Sequence, residues 1–295
     1  RGLGDVYKRQ CWRCKQPLIY YAKPAWYIKT TEYKDKIIEA NKKVNWYPEY
    51  VGTKRFNNWL ENMVDWGISR NRYWGCPMPI WICEKCGNKH VIGSRNELQD
   101  MLIEDIDVNN IELHRPYVDE LHIKCPKCNG KMERIKDVLD VWFDSGAMPY
   151  AQFHYPFENK ELFSSQFPAD FIAEGVDQTR GWFNSLICIS TIISGESSFK
   201  NVVVNDMVLD PNGKKMSKSV GNIVDPIKEL TKYGADEVRW YMLTASPVWT
   251  PLKYDSNGLK EVHSKFFNPL KNTYSFFQMY ANVDGIDINL SLIHI

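Results

Sequence analysis

The sequence predicts an α/β fold built on a parallel sheet, with a cysteine-rich module inserted before it and an α-helical region after it. Three observations carry that reading. Two short apolar or β-branched runs, residues 171–173 and 202–204, flank a 16-residue stretch (179–194) whose apolar residues Trp182, Phe183, Leu186, Ile187, Ile189 and Ile193 suit a buried helix. A strand, a helix and a second strand in that order imply parallel pairing through a crossover helix. Six of the 8 cysteines fall in three C-x-x-C pairs, Cys11/Cys14, Cys83/Cys86 and Cys125/Cys128. Beyond Tyr241 the apolar spacing is helical, with no strand text, so an α-helical domain is expected to begin near Asp255.

In chain order, residues 1–9 (RGLGDVYKR) show no signal-peptide pattern and resemble translated sequencing-adaptor read-through, as does the closing SLIHI, residues 291–295. Both are set aside as non-native, and the chain is expected to be an internal piece of something longer. From residue 10 to about 60 the text is rich in aromatics and lysine, with Thr31 a cap for a helix reaching about Asn41. Residues 61–82 carry Gly67, Gly75, Pro77 and Pro79, which punctuate a connection into a buried strand. Residues 83–136 hold two cysteine pairs around a polar middle, as an inserted module would. Residues 137–224 contain the strand–helix–strand text. In residues 225–254, Asp225-Pro226 opens a helix that Gly234 closes. The last helical segment is 255–290.

Composition narrows the function classes. A length of 295 residues with 44% hydrophobic and 25% charged content is that of an ordinary globular protein of about two domains. A net charge of +1 gives no global cationic field, so any nucleic-acid contact must come from local patches. The longest near-apolar stretch, 186–193, is interrupted by Ser190 and Thr191 and falls far short of the roughly 18 residues that span a bilayer. No membrane contact is expected. Paired cysteines in a chain of this size favour metal binding in a reducing compartment over disulfide staples.

Cys83, Cys86, Cys125 and Cys128 supply four thiolates in two knuckles, each followed by a turn residue, Gly87 or Gly130. Tetrahedral Zn2+ needs four soft ligands so arranged, and four protein ligands close the shell, which makes the site structural. The 38 residues between Cys86 and Cys125 exceed the common ribbon spacing. Buried free thiols, a redox pair, or His90 or His122 in place of one thiolate are the competing readings. Cys11 and Cys14 make only half a site.

The loop PNGKKMSKSVGN, residues 211–222, interleaves Lys214, Lys215 and Lys218 with Ser217 and Ser219, and no acid falls between Asp210 and Asp225. It can place ammonium groups and hydroxyls on a polyphosphate, yet it lacks the Walker A pattern. A short Lys/Ser run is more often a solvated surface loop. Its place after a parallel strand favours a ligand role, because ligands of open α/β sheets gather at the carboxyl ends of strands.

KMSKS (215–219) resembles the signature of class I aminoacyl-tRNA synthetases. GISRNRYWGCPMPIW, DVLDVWFDSGAMPYAQFHYPFEN, FPADFIAEGVDQTRGWF and NDMVLDPNGKKMSKSVGNIVDP resemble the isoleucyl-tRNA synthetase family, in that family's order. The resemblance runs from Cys11 to about Asn282. It implies that 137–224 is the second half of a Rossmann-like catalytic domain, that 10–60 is the exit end of an editing insertion, and that 255–290 starts an anticodon-binding domain.

The resemblance also implies site roles. Glu174 binds the amino-acid ammonium or the adenylate, Gly175 lets backbone approach the ligand, and Asp177 and Gln178 contact the amino acid and the adenosine ribose. Asp177 has a second reading, as N-cap of the 179–194 helix. Trp142 and Trp182 wall the isoleucine side-chain pocket; without the resemblance both read as core. Lys218 stabilises the transition state of adenylate formation, with Lys215, Ser217 and Ser219 beside it, and Lys214 reads as a solvated charge. ATP, Mg2+, isoleucine and tRNA-Ile are the implied ligands, in a cytoplasmic, monomeric parent protein. No HIGH tetrapeptide occurs, and His154 in QFHYP does not match it. These residues alone are therefore expected to be inactive. A valyl-tRNA synthetase shares the general plan, and a zinc-knuckle nucleic-acid-binding protein without catalysis is the reading from another class.

Overall fold

The computed structural model describes residues 10–286 except Trp12, Arg13, Lys15, residues 19–21, Lys218 and Ser219. The chain divides into two compact units, one comprising Asn62–Ala151 with the described residues before 36, the other Lys36–Glu61 with the described residues from Gln152 onward.

In the first unit the glycine- and proline-punctuated text leads into the buried strand Ile80–Cys83, as expected. This strand lies inside a four-stranded antiparallel sheet, between Lys89–Val91 and Lys131–Arg134, with Ile123–Lys124 beyond the latter. Trp81, Leu98, Val118, Ile123 and Met132 fill the core beneath it. The Trp81 indole N–H donates to the Leu121 carbonyl at 3.0 Å. A fully buried Arg134 guanidinium pairs with Asp119, which also accepts from Arg115 at 2.7 Å. Burial alone would raise the Asp119 carboxyl, but the two guanidiniums outweigh it and hold it below the ordinary carboxylate range.

Thr31 does not cap the first helix. Residues Thr30–Tyr33 form a 3-10 turn and the α-helix starts at Lys34. Asp65 is what satisfies this entry, its carboxylate accepting the Thr31 N–H at 3.2 Å and hydroxyl at 2.6 Å. A residue 34 positions away supplies the bond, and no local pattern could report it.

In the second unit the expected parallel pair is present. Ala169–Gly175 and Phe199–Asn205 run side by side with Glu174 opposite Val204 and Gly175 opposite Asn205. The connecting helix, Trp182–Ser194, buries nearly all its faces, Phe183 and Ile187 completely. The strand Asn45–Tyr47 adds a third, parallel member on the far edge of Phe199–Asn205. Its Trp46 side chain enters the same core, 5.1 Å from the Phe56 ring, 5.6 Å from Phe183 and 6.4 Å from Phe199. A Cβ at Gly52 would overlap that indole. Gly52→Ala is expected to cost about 1–3 kcal/mol by overpacking. Denaturant unfolding followed by tryptophan fluorescence measures it, and an unchanged midpoint would refute this packing.

Asp225 caps the helix Pro226–Tyr233 through a 3.0 Å bond from the Ile227 N–H, and Gly234 ends it at φ +88°. The region after Tyr241 departs from the all-helical expectation. Leu252–Lys253 is a two-residue strand running parallel to Val208–Leu209. Two residues are too few to show an alternating pattern, and the pairing rests on backbone bonds from Leu252 N–H to Met207 O and Tyr254 N–H to Leu209 O. The helices Ser256–Val262 and Asn268–Asp284 follow, the first capped by Asp255. Among the described residues no helix is long and apolar enough to cross a membrane.

Candidate functional site

The four sulfurs expected to bind zinc converge. Those of Cys83, Cys86, Cys125 and Cys128 all lie within 4.8 Å of one another, with Cys83–Cys128 at 3.5 Å and Cys86–Cys125 at 3.7 Å. A tetrahedron with Zn–S bonds of about 2.3 Å has edges of about 3.8 Å, so the sulfurs already sit at metal spacing. His90 and His122 stand outside this four-sulfur group and engage Glu97 at 3.0 Å and Glu104 at 2.6 Å.

The knuckles share one backbone design. Cys83 N–H donates to Asn88 O and Cys125 N–H to Gly130 O, both at 2.8 Å, while Gly87 and Asn129 N–H return to Cys83 O and Cys125 O at 2.9 Å. The left-handed residues are Gly87 (φ +68°) and Asn129 (φ +58°), so Asn129 makes the second turn where Gly130 was expected to. Asparagine tolerates that conformation. Gly130 serves another purpose, since a Cβ there would stand 3.2 Å from Cys128 Sγ and 3.3 Å from Cys83 Sγ. Cys11 N–H makes the same bond to Gln16 O at 2.8 Å. Among the described residues only the four-cysteine group has enough donors to enclose a metal.

Backbone N–H groups and neighbouring sulfurs pull the thiols of the cluster in opposite directions. Burial works against the Cys125 thiolate, but N–H groups of Cys128 and Lys127 outweigh it and bring the thiol down to about 6. Cys83 is lowered against the same penalty by the Cys86 and Lys85 N–H groups. Cys128 gains from the Gly130 N–H, yet the sulfurs of Cys86 and Cys83 push it up to about 12. Four ionised sulfurs this close repel unless a divalent ion compensates them. The donor set fits Zn2+, which would tie the two knuckles and the strands that carry them.

At the carboxyl end of the Ala169–Gly175 strand, Glu174 is exposed, as is Asp177. A Cβ on Gly175 would stand 2.7 Å from Asp177 Oδ1, so glycine lets that carboxylate fold against the strand end. Asp177 is not the helix cap. Val176–Arg180 is a 3-10 turn that delays the helix to Trp182, whose N–H reaches Gln178 Oε1 at 2.9 Å. The Gln178 amide also donates to Asp177 Oδ2 at 3.2 Å. Glu174, Gly175, Asp177 and Gln178 thus form one polar ledge at the strand end.

Trp182 is half-buried at the start of its helix. Trp142 belongs to the other unit, on the helix Val141–Ala151, and is 41% exposed, which removes it from the core. Its helix is anchored by Asp140, a residue the sequence reading passed over. Asp140 is buried, receives Arg70 at 2.6 Å and the Trp66 indole at 3.3 Å, and accepts the Trp142 N–H at 3.3 Å. An acid just before the helix was the signal available.

The lysine loop leaves the Val208–Leu209 strand, turns at Gly213 (φ +78°), and comes back through a bridge between Leu209 and Lys215. Lys214 and Lys215 are exposed and Ser217 is half-buried. Lys218 and Ser219 lie outside the described residues. Asp210 and Asn222, neither singled out by the sequence reading, hold the loop together, and Asp210 is buried.

The sequence model described as tRNA synthetases class I (I, L, M and V) matches residues 9–255, and the chain belongs to that family. Among solved structures, Mycobacterium tuberculosis methionyl-tRNA synthetase bound by methionyl-adenylate is similar over 94% of this chain and 45% of its own, at TM-score 0.59 and 20% identity, a likeness of fold. A ternary complex of Agrobacterium radiobacter K84 agnB2 LeuRS, tRNA and LeuAMS covers 69% of this chain and 27% of its own, at TM-score 0.52 and 28% identity. The particular relatives are narrower. Proteins named isoleucine–tRNA ligase from Clostridium acetobutylicum and Cytophaga hutchinsonii are 50% and 53% identical over 97% and 93% of this chain. The chain spans 28% and 25% of their lengths.

Proposed function

We propose that this chain is the carboxyl-side part of the catalytic domain of an isoleucine–tRNA ligase, with an inserted structural zinc module and the start of a helical anticodon-binding domain. The observation that carries it is identity of about half over nearly the whole chain to proteins named for that activity. The expected boundaries 10–60, 61–82, 83–136, 137–224, 225–254 and 255–290 belong to the same proposal. The parent protein is proposed to be cytoplasmic and monomeric, with isoleucine, ATP with Mg2+, and tRNA-Ile as its ligands.

In the proposed reaction the isoleucine carboxylate attacks the α-phosphate of ATP and pyrophosphate leaves. A hydroxyl of the tRNA then attacks the acyl carbon of the adenylate, forming the ester, and AMP leaves. Glu174 offers the isoleucine ammonium a carboxylate partner, a charge-assisted contact. Asp177 and Gln178 orient the amino acid and ribose, and Gly175 leaves room for backbone approach. Trp182, at the start of the following helix, supplies a rigid apolar wall. Lys218, with Lys215, Ser217 and Ser219, meets the negative charge dispersed over the phosphates, where catalysis is chiefly positioning and electrostatics. Zinc held by Cys83, Cys86, Cys125 and Cys128 would supply structural cross-linking only.

The family includes valine enzymes, which makes isoleucine against valine the discriminating measurement. One methylene is worth about 1–3 kcal/mol in an apolar pocket, a limit for which isoleucyl enzymes are themselves the standard example. Pyrophosphate exchange on the full-length protein is therefore expected to favour isoleucine over valine about 100-fold in kcat/KM. A preference for valine, or exchange with neither, would sink the assignment.

A further inference from the structure

The lysine loop is tied down by one side-chain amide that makes three hydrogen bonds. Asn222 Nδ2 donates to Asp210 Oδ2 at 3.0 Å and to the Lys215 carbonyl at 3.2 Å, while its Oδ1 accepts the Ser217 N–H at 2.9 Å. Asp210, 6% exposed, also accepts the Asn212 and Lys214 N–H groups at 3.0 and 2.7 Å. The Asn222 amide, followed by these backbone donors, keeps the Asp210 carboxyl below the ordinary carboxylate range, so it remains an acceptor. The loop is further pinned by Met216 and Val224, which pack against the buried cluster of Tyr241, Leu252, Tyr254 and Leu259.

These contacts need both halves of an amide at residue 222. A carboxylate there would keep the acceptor for Ser217 but lose the donor and face Asp210 with like charge; a methyl would lose everything. The bonds fix backbone at Lys215 and Ser217, immediately before Lys218 in sequence. Cationic groups serve a transition state only when their attachment points are fixed, because misplacement by about 1 Å can cost 100-fold in rate.

We infer that Asn222, buttressed by Asp210, is a positioning residue that fixes the backbone at Lys215 and Ser217 of the KMSKS motif for adenylate formation. This rests on the ligase reading, and it assigns to Asn222 no contact with substrate. The test uses the full-length protein carrying Asn222→Asp, Asn222→Ala, or the reciprocal pair Asp210→Asn with Asn222→Asp. Both single variants are expected to lower kcat for isoleucine-dependent pyrophosphate exchange about 10- to 100-fold while KM for isoleucine stays within about twofold. The reciprocal pair restores a 210-to-222 amide–carboxylate bond and is expected to recover at least about threefold over Asn222→Asp. Trypsin cleavage after Lys214 and Lys215 should quicken in the single variants and slow again in the pair. Unchanged exchange in both single variants overturns the inference. So does a loss of kcat matched by an equal rise in KM for isoleucine, or by a general fall in melting temperature, since either marks a purely structural role. If the unmodified protein shows no isoleucine-dependent exchange, the ligase reading fails on its own account. The clamp is then judged by trypsin alone, and unaltered cleavage refutes it.

Discussion

Replacing Lys218 by alanine in the full-length protein is expected to slow isoleucine-dependent pyrophosphate exchange by about 100- to 1,000-fold, the usual cost of deleting one preorganised electrostatic group. Isoleucine affinity, measured without ATP, should change by less than about twofold, because the ammonium of Lys218 is assigned to charge that develops on the phosphates. The split between rate and binding is the informative feature. Equal losses in both would place Lys218 in ground-state binding, and no loss would remove the lysine loop from the chemistry. Lys214→Ala is the internal comparison, and its effect should be small.

The second large effect concerns the cysteine module. Cys125→Ser is expected to abolish zinc binding at the four-sulfur site and to unfold the local sheet. Structural zinc contributes about 10–16 kcal/mol of apparent binding free energy in small zinc-finger peptides, comparable to the whole stability of an ordinary domain, about 5–15 kcal/mol. Cys125 is buried, and its sulfur lies 3.7 Å from Cys86. Losing it leaves only three sulfurs for an ion whose structural sites take four protein ligands. Metal content by mass spectrometry under native conditions, with thiol labelling of Cys83 and Cys128, reads the result. Retained zinc and protected thiols in the variant would refute the four-ligand assignment. A strong chelator should reproduce the same labelling in the unmodified protein.

The two experiments address different levels of organisation. Zinc loss acts on the sheet of the first unit, through the strands that carry the knuckles. Lys218→Ala acts on a loop of the second unit and should leave the module's thiols protected. A protein in which Cys125→Ser alone eliminates pyrophosphate exchange while the lysine loop keeps its trypsin pattern would show that the module also supports the active site.

Several features were legible in the sequence because a local pattern encodes them. The C-x-x-C spacing gave each knuckle, a turn closed within six residues by its own backbone, while the meeting of the two knuckles, 39 and 45 residues apart, was decided by the fold. The strand, crossover helix and second strand were readable from apolar runs of the right length, and Asp225-Pro226 announced its helix because capping is a local bond. What tertiary structure alone decided were interactions whose partners lie far apart. Asp65 takes the place of Thr31 at the first helix entry across 34 residues. Leu252–Lys253 becomes a strand only because Val208–Leu209 lies beside it. Asn222 became visible as the clamp of the lysine loop only once Asp210, Lys215 and Ser217 were seen around one amide. A sequence records which groups can donate or accept, and the folded chain decides which of them meet, because only it fixes distances between residues that no short repeat connects.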